Sequence, residues 1–135
     1  IGAFVSGMDA AQIYNSWPLM GSNYFPDDNE HVNLFKLSAF SDPSLVQFMH
    51  RNLAYLILIF YLIIAYKVYK EKLAQLYLAI NLVGLILFIQ ILLGILTLLY
   101  GAQIVLASMH QISSIFLVSF SVYLLFLSTN QRLSN

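Results

Sequence analysis

The 135-residue chain contains no cysteine, and only 9% of its residues are charged. Without thiolates it can form no disulfide, no zinc–thiolate site and no cysteine-held iron–sulfur cluster. Its charge content is about a third of that in soluble domains, which excludes an ordinary solvated surface. Six basic and six acidic residues cancel, leaving no electrostatic footprint for nucleic acid. There is no Gly-rich phosphate loop, nucleophile elbow or HExxH pair. Nor does a carboxylate interrupt the three longest apolar runs, so proton chemistry by an intramembrane acid has to come from elsewhere.

What is present is apolar. The chain is 60% hydrophobic with a mean hydropathy of +0.78, the composition of an integral membrane protein. Residues 45–66, 73–100 and 104–128 form three runs of 22, 28 and 25 residues. At 1.5 Å per residue each can span the roughly 30 Å hydrocarbon core, with tilt or overhang for the longer two. The opening "IGAFVSGM", residues 1–8, reads as the end of a fourth span and lacks the basic leader of a signal peptide. The expected architecture is an all-α polytopic bundle of three full transmembrane helices plus the end of another, a fragment or one half of a longer protein.

The loops suggest an orientation. "KVYKEK" carries Lys67, Lys70 and Lys72, and Arg132 follows the last span. Segment 9–44 holds Asp9, Asp27, Asp28, Glu30 and Asp42 against a single Lys36. Positive loops stay inside, so segment 9–44 and the short "GAQ" turn are expected outside. Within that segment "YNSWPLM" (Tyr14–Met20) suits an interfacial stretch, since Trp and Tyr favour headgroup level. "SDPS" (Ser41–Ser44) reads as a helix start, with Ser41 or Asp42 as N-cap and Pro43 in the first turn.

Two histidines lie inside the runs, His50 beside Arg51 and His110 beside Gln111. Both sit near the outer ends of parallel helices, roughly 7 to 9 Å deep. A small residue follows each by four on the same face, Ala54 and Ser114. Ala107 and Ser121 extend that face in the third run, and Gln90, Gly94 and Thr97 make a small, polar face on the second. Two neutral imidazoles at one depth, with room beside them, are what a bis-histidine haem site between helices needs. Arg51 is a candidate partner for a haem propionate, as Arg pairs with carboxylates. Other readings stay open. Either histidine alone fits a hydrogen bond to a neighbouring helix, and the Gln90 face fits helix packing. Arg51 fits snorkelling to the interface. His31 reads as a solvated loop residue, and the Asp27–Asp28–Glu30 acids as part of an acidic loop.

Three stretches, "GAFVSGMDAAQIYNSWPLM", "NLFKLSAFSDPSLVQFMHRNLAY" and "QILLGILTLLYGAQIVLASMHQ", together resemble the C-terminal half of the heme A synthase family. The resemblance implies eight helices in two similar four-helix halves, each with two haem-facing histidines. It implies that His50 and His110 hold a haem b iron, and that the reaction is oxidation of the haem O methyl to the formyl of haem A. The substrate pocket and catalytic glutamate belong to the N-terminal half, so no catalytic residue is expected here, and this portion alone should bind haem without making haem A. Some members carry a cysteine pair in an outer loop, which this chain lacks. Implied partners are haem O and haem A, the lipid bilayer, and through them heme O synthase and cytochrome c oxidase assembly. The implied location is a bacterial cell membrane or the mitochondrial inner membrane. Two alternatives remain, a non-enzymatic cytochrome b-type anchor and a haem-free packing module.

Overall fold

The computed structural model describes residues 1–133, with side chains through residue 130. The Arg132 side chain therefore lies outside the described residues. Among the described residues the regular elements are helical: α1 (Gly2–Gly7), α2 (Pro43–Lys70), α3 (Tyr77–Leu99) and α4 (Ile104–Leu133), with short 3₁₀ turns between them. α2, α3 with its leading turn Ala74–Leu76, and α4 are each long and apolar enough to cross a membrane. The chain is an all-α, multi-pass membrane bundle.

Capping chemistry explains where the helices begin and end. The Asp42 carboxylate accepts the Leu45 N–H at 3.1 Å, and Pro43 occupies the first turn, where its missing N–H costs nothing. Of the two candidate caps, Asp42 is the one used. α2 runs four residues past its apolar stretch, putting Lys67 and Lys70 in the last turn, where cations suit the helix dipole. α4 likewise continues beyond Ser128. Both helices keep their backbone hydrogen bonds while entering an interface that solvates their polar side chains. Gly101 (φ 67°) and Ala102 (φ 56°) reverse the chain between α3 and α4.

α3 is the middle helix: 22% of its most apolar window is buried, against 6% for α2 and α4. Away from the loop, Val68, Leu76 and Ile80 form a packed core with Tyr61, Leu124 and Leu127. Outward-facing residues stay uncovered, for example Leu62 (55% exposed), Phe88 (65%) and Ile115 (64%). Such surfaces suit hydrocarbon, not water.

At the opposite end, residues 9–42 fold into a compact cap. Ala10, Met20 and Ala39 are buried within it, and Phe25 and Tyr24 pack on Phe48 of α2 with ring centroids 5.1 and 5.7 Å apart. The cap is bolted to the helices by polar contacts. Asn15 donates to the Leu98 carbonyl at the end of α3 (2.9 Å) and Gln47 to the Tyr14 carbonyl (3.0 Å). Trp17 donates its indole N–H to the Tyr55 hydroxyl (3.1 Å).

Arg51 is the central bolt. Its Nη1 donates to the carbonyls of Ser16 (2.9 Å) and Leu19 (3.2 Å), and its Nη2 to that of Tyr14 (3.0 Å). The stretch "YNSWPLM" thus supplies main-chain oxygens for a guanidinium within a membrane helix. Charge-assisted hydrogen bonds of this kind contribute about 1.5–3 kcal/mol. Replacing Arg51 by Ala is therefore expected to lower the thermal stability of the purified protein and to expose segment 14–20 to limited proteolysis. Arg51→Lys, which cannot fork to three carbonyls, should recover only part of the loss.

The loop acids have work within the cap. Asp27 accepts from the Asn23 amide (2.5 Å) and from both the N–H and the hydroxyl of Ser22. Asp28 bridges the Tyr14 hydroxyl (3.0 Å) and the Ser44 hydroxyl (2.6 Å), tying the cap to α2. Partial burial pushes the Asp28 carboxyl upward, but hydrogen bonds from Ser44, Tyr14 and Asn29 outweigh it and hold the pKa below the ordinary 3.8. A depressed folded-state pKa gives stabilisation that is complete above the ordinary value and lost as the pH falls through the depressed one. The melting temperature should consequently drop as the pH is taken below about 4, and that acid-dependent component should shrink in Asp28→Asn. An unchanged acid slope in the variant would discount Asp28.

Candidate cofactor site

His50 follows the start of α2 by seven residues and His110 the start of α4 by six, so each ring lies about 9–10 Å along its helix from the capped end. The two rings meet across one cavity of about 320 Å³, their centroids 6.3 Å apart and their planes nearly perpendicular at 84°. The cavity is lined by α2, α3 and α4 and covered on the cap side by Ala11 and Trp17. Ala54, Gly94 and Ser114, all small, sit beside the rings.

Gly94 lets the His110 ring approach α3 closely. A Cβ there would stand 3.0 Å from Cε1 of His110, so the ring lies directly on the α3 backbone. His110 is also hydrogen-bonded to α3: its Nδ1 lies 3.0 Å from the Gln90 carbonyl oxygen and its Nε2 3.3 Å from the Gln90 side-chain nitrogen. Ser113 donates to Gln90 Oε1 in turn. Among the described residues the His50 ring makes no hydrogen bond; a Cβ on Gly2 of α1 would stand 3.8 Å from its Cε1.

These residues fit a haem. A metal-bound imidazole nitrogen lies about 2 Å from its ion, so rings ligating one ion from opposite sides have centres roughly 6 Å apart. Among the described residues no group of three or more His, Cys, Asp or Glu could hold a metal ion. Two imidazoles are a donor set for iron already held in a macrocycle, not for a bare ion. Among the described residues three buried side-chain atoms lack a hydrogen-bond partner, Gln47 Oε1, Arg51 Nε and Thr97 Oγ1, and all three residues line this cavity.

The structure thus gathers His50, His110, Arg51, Ala54, Gln90, Gly94, Thr97 and Ser114 around one space. Ala107 and Ser121 are not among its lining residues; the Ser121 hydroxyl donates to its own helix at Leu117. His31 is an exposed cap residue against the Phe25 ring, with centroids 4.1 Å apart. Sequence reasoning missed Gln47 and Ser113. Both stand three residues from a histidine on the same helical face, a signal the sequence did carry.

A family model described as cytochrome oxidase assembly protein matches residues 1–122. The chain is 42% identical to the heme A synthase of Pelagibacter ubique (strain HTCC1062) over 130 residues, covering 96% of this chain and 38% of that protein. It is 38% identical to the heme A synthase of Rickettsia prowazekii (strain Madrid E), over 96% of this chain and 39% of that protein. With that of Rickettsia bellii (strain OSU 85-389) the identity is 39%, over 91% and 36%. The chain thus spans less than two-fifths of the length of these relatives. No solved structure matches it. A membrane bundle that turns two histidines into one cavity, matched along nearly its whole length by these proteins, belongs to the heme A synthase family of cytochrome oxidase assembly proteins.

Proposed function

We propose that this chain is the haem b-binding, C-terminal half of a heme A synthase, in which His50 and His110 would hold the iron. The observation that carries the reading is the pair of imidazoles from separate helices, 6.3 Å apart across one cavity. In the full protein the reaction is oxidation of the haem O methyl group to the formyl of haem A, with the catalytic residues in the other half. Its setting is the bacterial cell membrane or the mitochondrial inner membrane. It works beside heme O synthase in cytochrome c oxidase assembly. The excess of lysine at the far end of the bundle puts the capped end, and the site, on the outer side.

Bound haem b supplies a one-electron centre near that surface. The chain's own residues bind and orient it. His50 and His110 offer neutral nitrogen lone pairs. Arg51 and Thr97, which line the cavity and whose Nε and hydroxyl have no partner among the described residues, are the candidates for the propionates. This gives Arg51 two tasks, since its Nη groups already hold the cap. Leu53, Ile57, Leu87 and Leu117 line the remainder and exclude water.

The test is spectroscopic, on the full-length protein. His50→Ala and His110→Ala should each abolish the low-spin bis-histidine spectrum of one haem while helicity persists; an unaltered spectrum in either variant removes that residue as a ligand. Gly94→Leu, which pushes a side chain into the His110 ring, should lower the haem-to-protein ratio severalfold. A ratio equal to wild type would show that the close approach of the ring to α3 is not required.

A further inference from the structure

The contacts of His110 define more than its position, because they determine where its protons are. A main-chain carbonyl can only accept, so the 3.0 Å contact to the Gln90 oxygen requires the hydrogen on Nδ1. In the neutral ring Nε2 then carries the lone pair. Next to that lone pair, at 3.3 Å, is the Gln90 side-chain nitrogen. The amide orientation follows from that lone pair: the NH₂ faces Nε2, which leaves Gln90 Oε1 to accept from the Ser113 hydroxyl. Ser113 is buried, and its hydroxyl is shared with the His110 carbonyl one turn back (2.9 Å). His110 Nδ1–H, one Gln90 amide N–H and the Ser113 hydroxyl thereby each meet an acceptor in one consistent arrangement.

One lone pair cannot serve an N–H and an iron together. Resting on the reading of His110 as a haem ligand, we propose that Gln90 is a positioning residue with two opposed actions on it. Its backbone carbonyl fixes the ring in the tautomer that presents Nε2, while its carboxamide, steered by Ser113, competes with iron for that nitrogen. Ligation requires the carboxamide to swing away, and Gln90 moderates how tightly the haem is held. The backbone carbonyl survives any substitution, so the two actions are separable by mutation.

The experiment is haem partition between the full-length protein and apomyoglobin, read by absorbance at equilibrium. Gln90→Leu keeps the carbonyl and removes the competing donor. It should shift haem toward the protein by about two- to tenfold, the size of one neutral hydrogen bond. Ser113→Ala, which frees the carboxamide to turn, should shift it the same way by less, and it carries the test if Gln90→Leu fails to fold. A merely structural role for Gln90 would weaken haem retention when the side chain is lost, so unchanged or weaker binding in the variants overturns the proposal. If instead the wild-type protein shows no His110-dependent low-spin haem, the ligand assignment itself fails, and that outcome is separately visible in the His110→Ala spectrum.

Discussion

A guanidinium carried into the third turn of a lipid-facing helix must find acceptors nearby, because ionisable groups inside a membrane cost roughly 2.5 kcal/mol or more when left to the hydrocarbon. Arg51 finds them in the carbonyls of residues 14, 16 and 19. Much of the capped end depends on that solution. The chain from Tyr14 to Leu19 has to curve so that three oxygens converge, which brings Trp17 to Tyr55 and covers the cavity. Gln47, one turn earlier on α2, uses the same Tyr14 carbonyl. The cap is thus organised around a charge on α2, with Asp27 holding its own turn and Asp28 and Asp42 reaching the first turn of α2.

The bundle has two different ends as a result. Away from the cap, α2, α3 and α4 close on Val68, Leu76 and Ile80 in a small dry core. Toward the cap they part around a cavity with small residues at the points of closest approach. Packing at one end holds the helices together, and that allows the other end to stay open. Within the opening the two histidines are treated unequally. His110 is hydrogen-bonded to α3 on both ring nitrogens, whereas His50 is held by packing alone among the described residues.

The spans and the histidine pair were legible in the sequence because both depend on local regularities. Apolar length locates a membrane helix whatever surrounds it, and nearly equal spacing from two helix starts, seven residues and six, places His50 and His110 at about one level. The caps followed similarly, Asp42 and Pro43 being a local signal. The Arg51 arrangement was not legible, because its partners are main-chain oxygens, which every residue has and no side-chain pattern marks. Propionate pairing and snorkelling were the readings available, and neither pointed to a cage built from "YNSWPLM". Gln90 was visible as part of a polar face, but its grip on His110 joins positions twenty residues apart on different helices. Such a contact follows from how α3 and α4 pack, which periodicity alone does not determine.

Neighbouring positions on α2, His50 and Arg51, belong to different parts of the molecule, one facing the cavity and the other holding the cap. A bilayer is nearly isotropic about a helix axis, and a helix apolar over most of its circumference gains little from any particular rotation in lipid; packing and interfacial anchors must set it. α2 has only 6% of its most apolar window buried, so packing constrains it weakly. Three carbonyls gripping a rigid, planar fork act as a torsional lock. They fix the azimuth of α2, and with it the direction in which the imidazole one residue away must point.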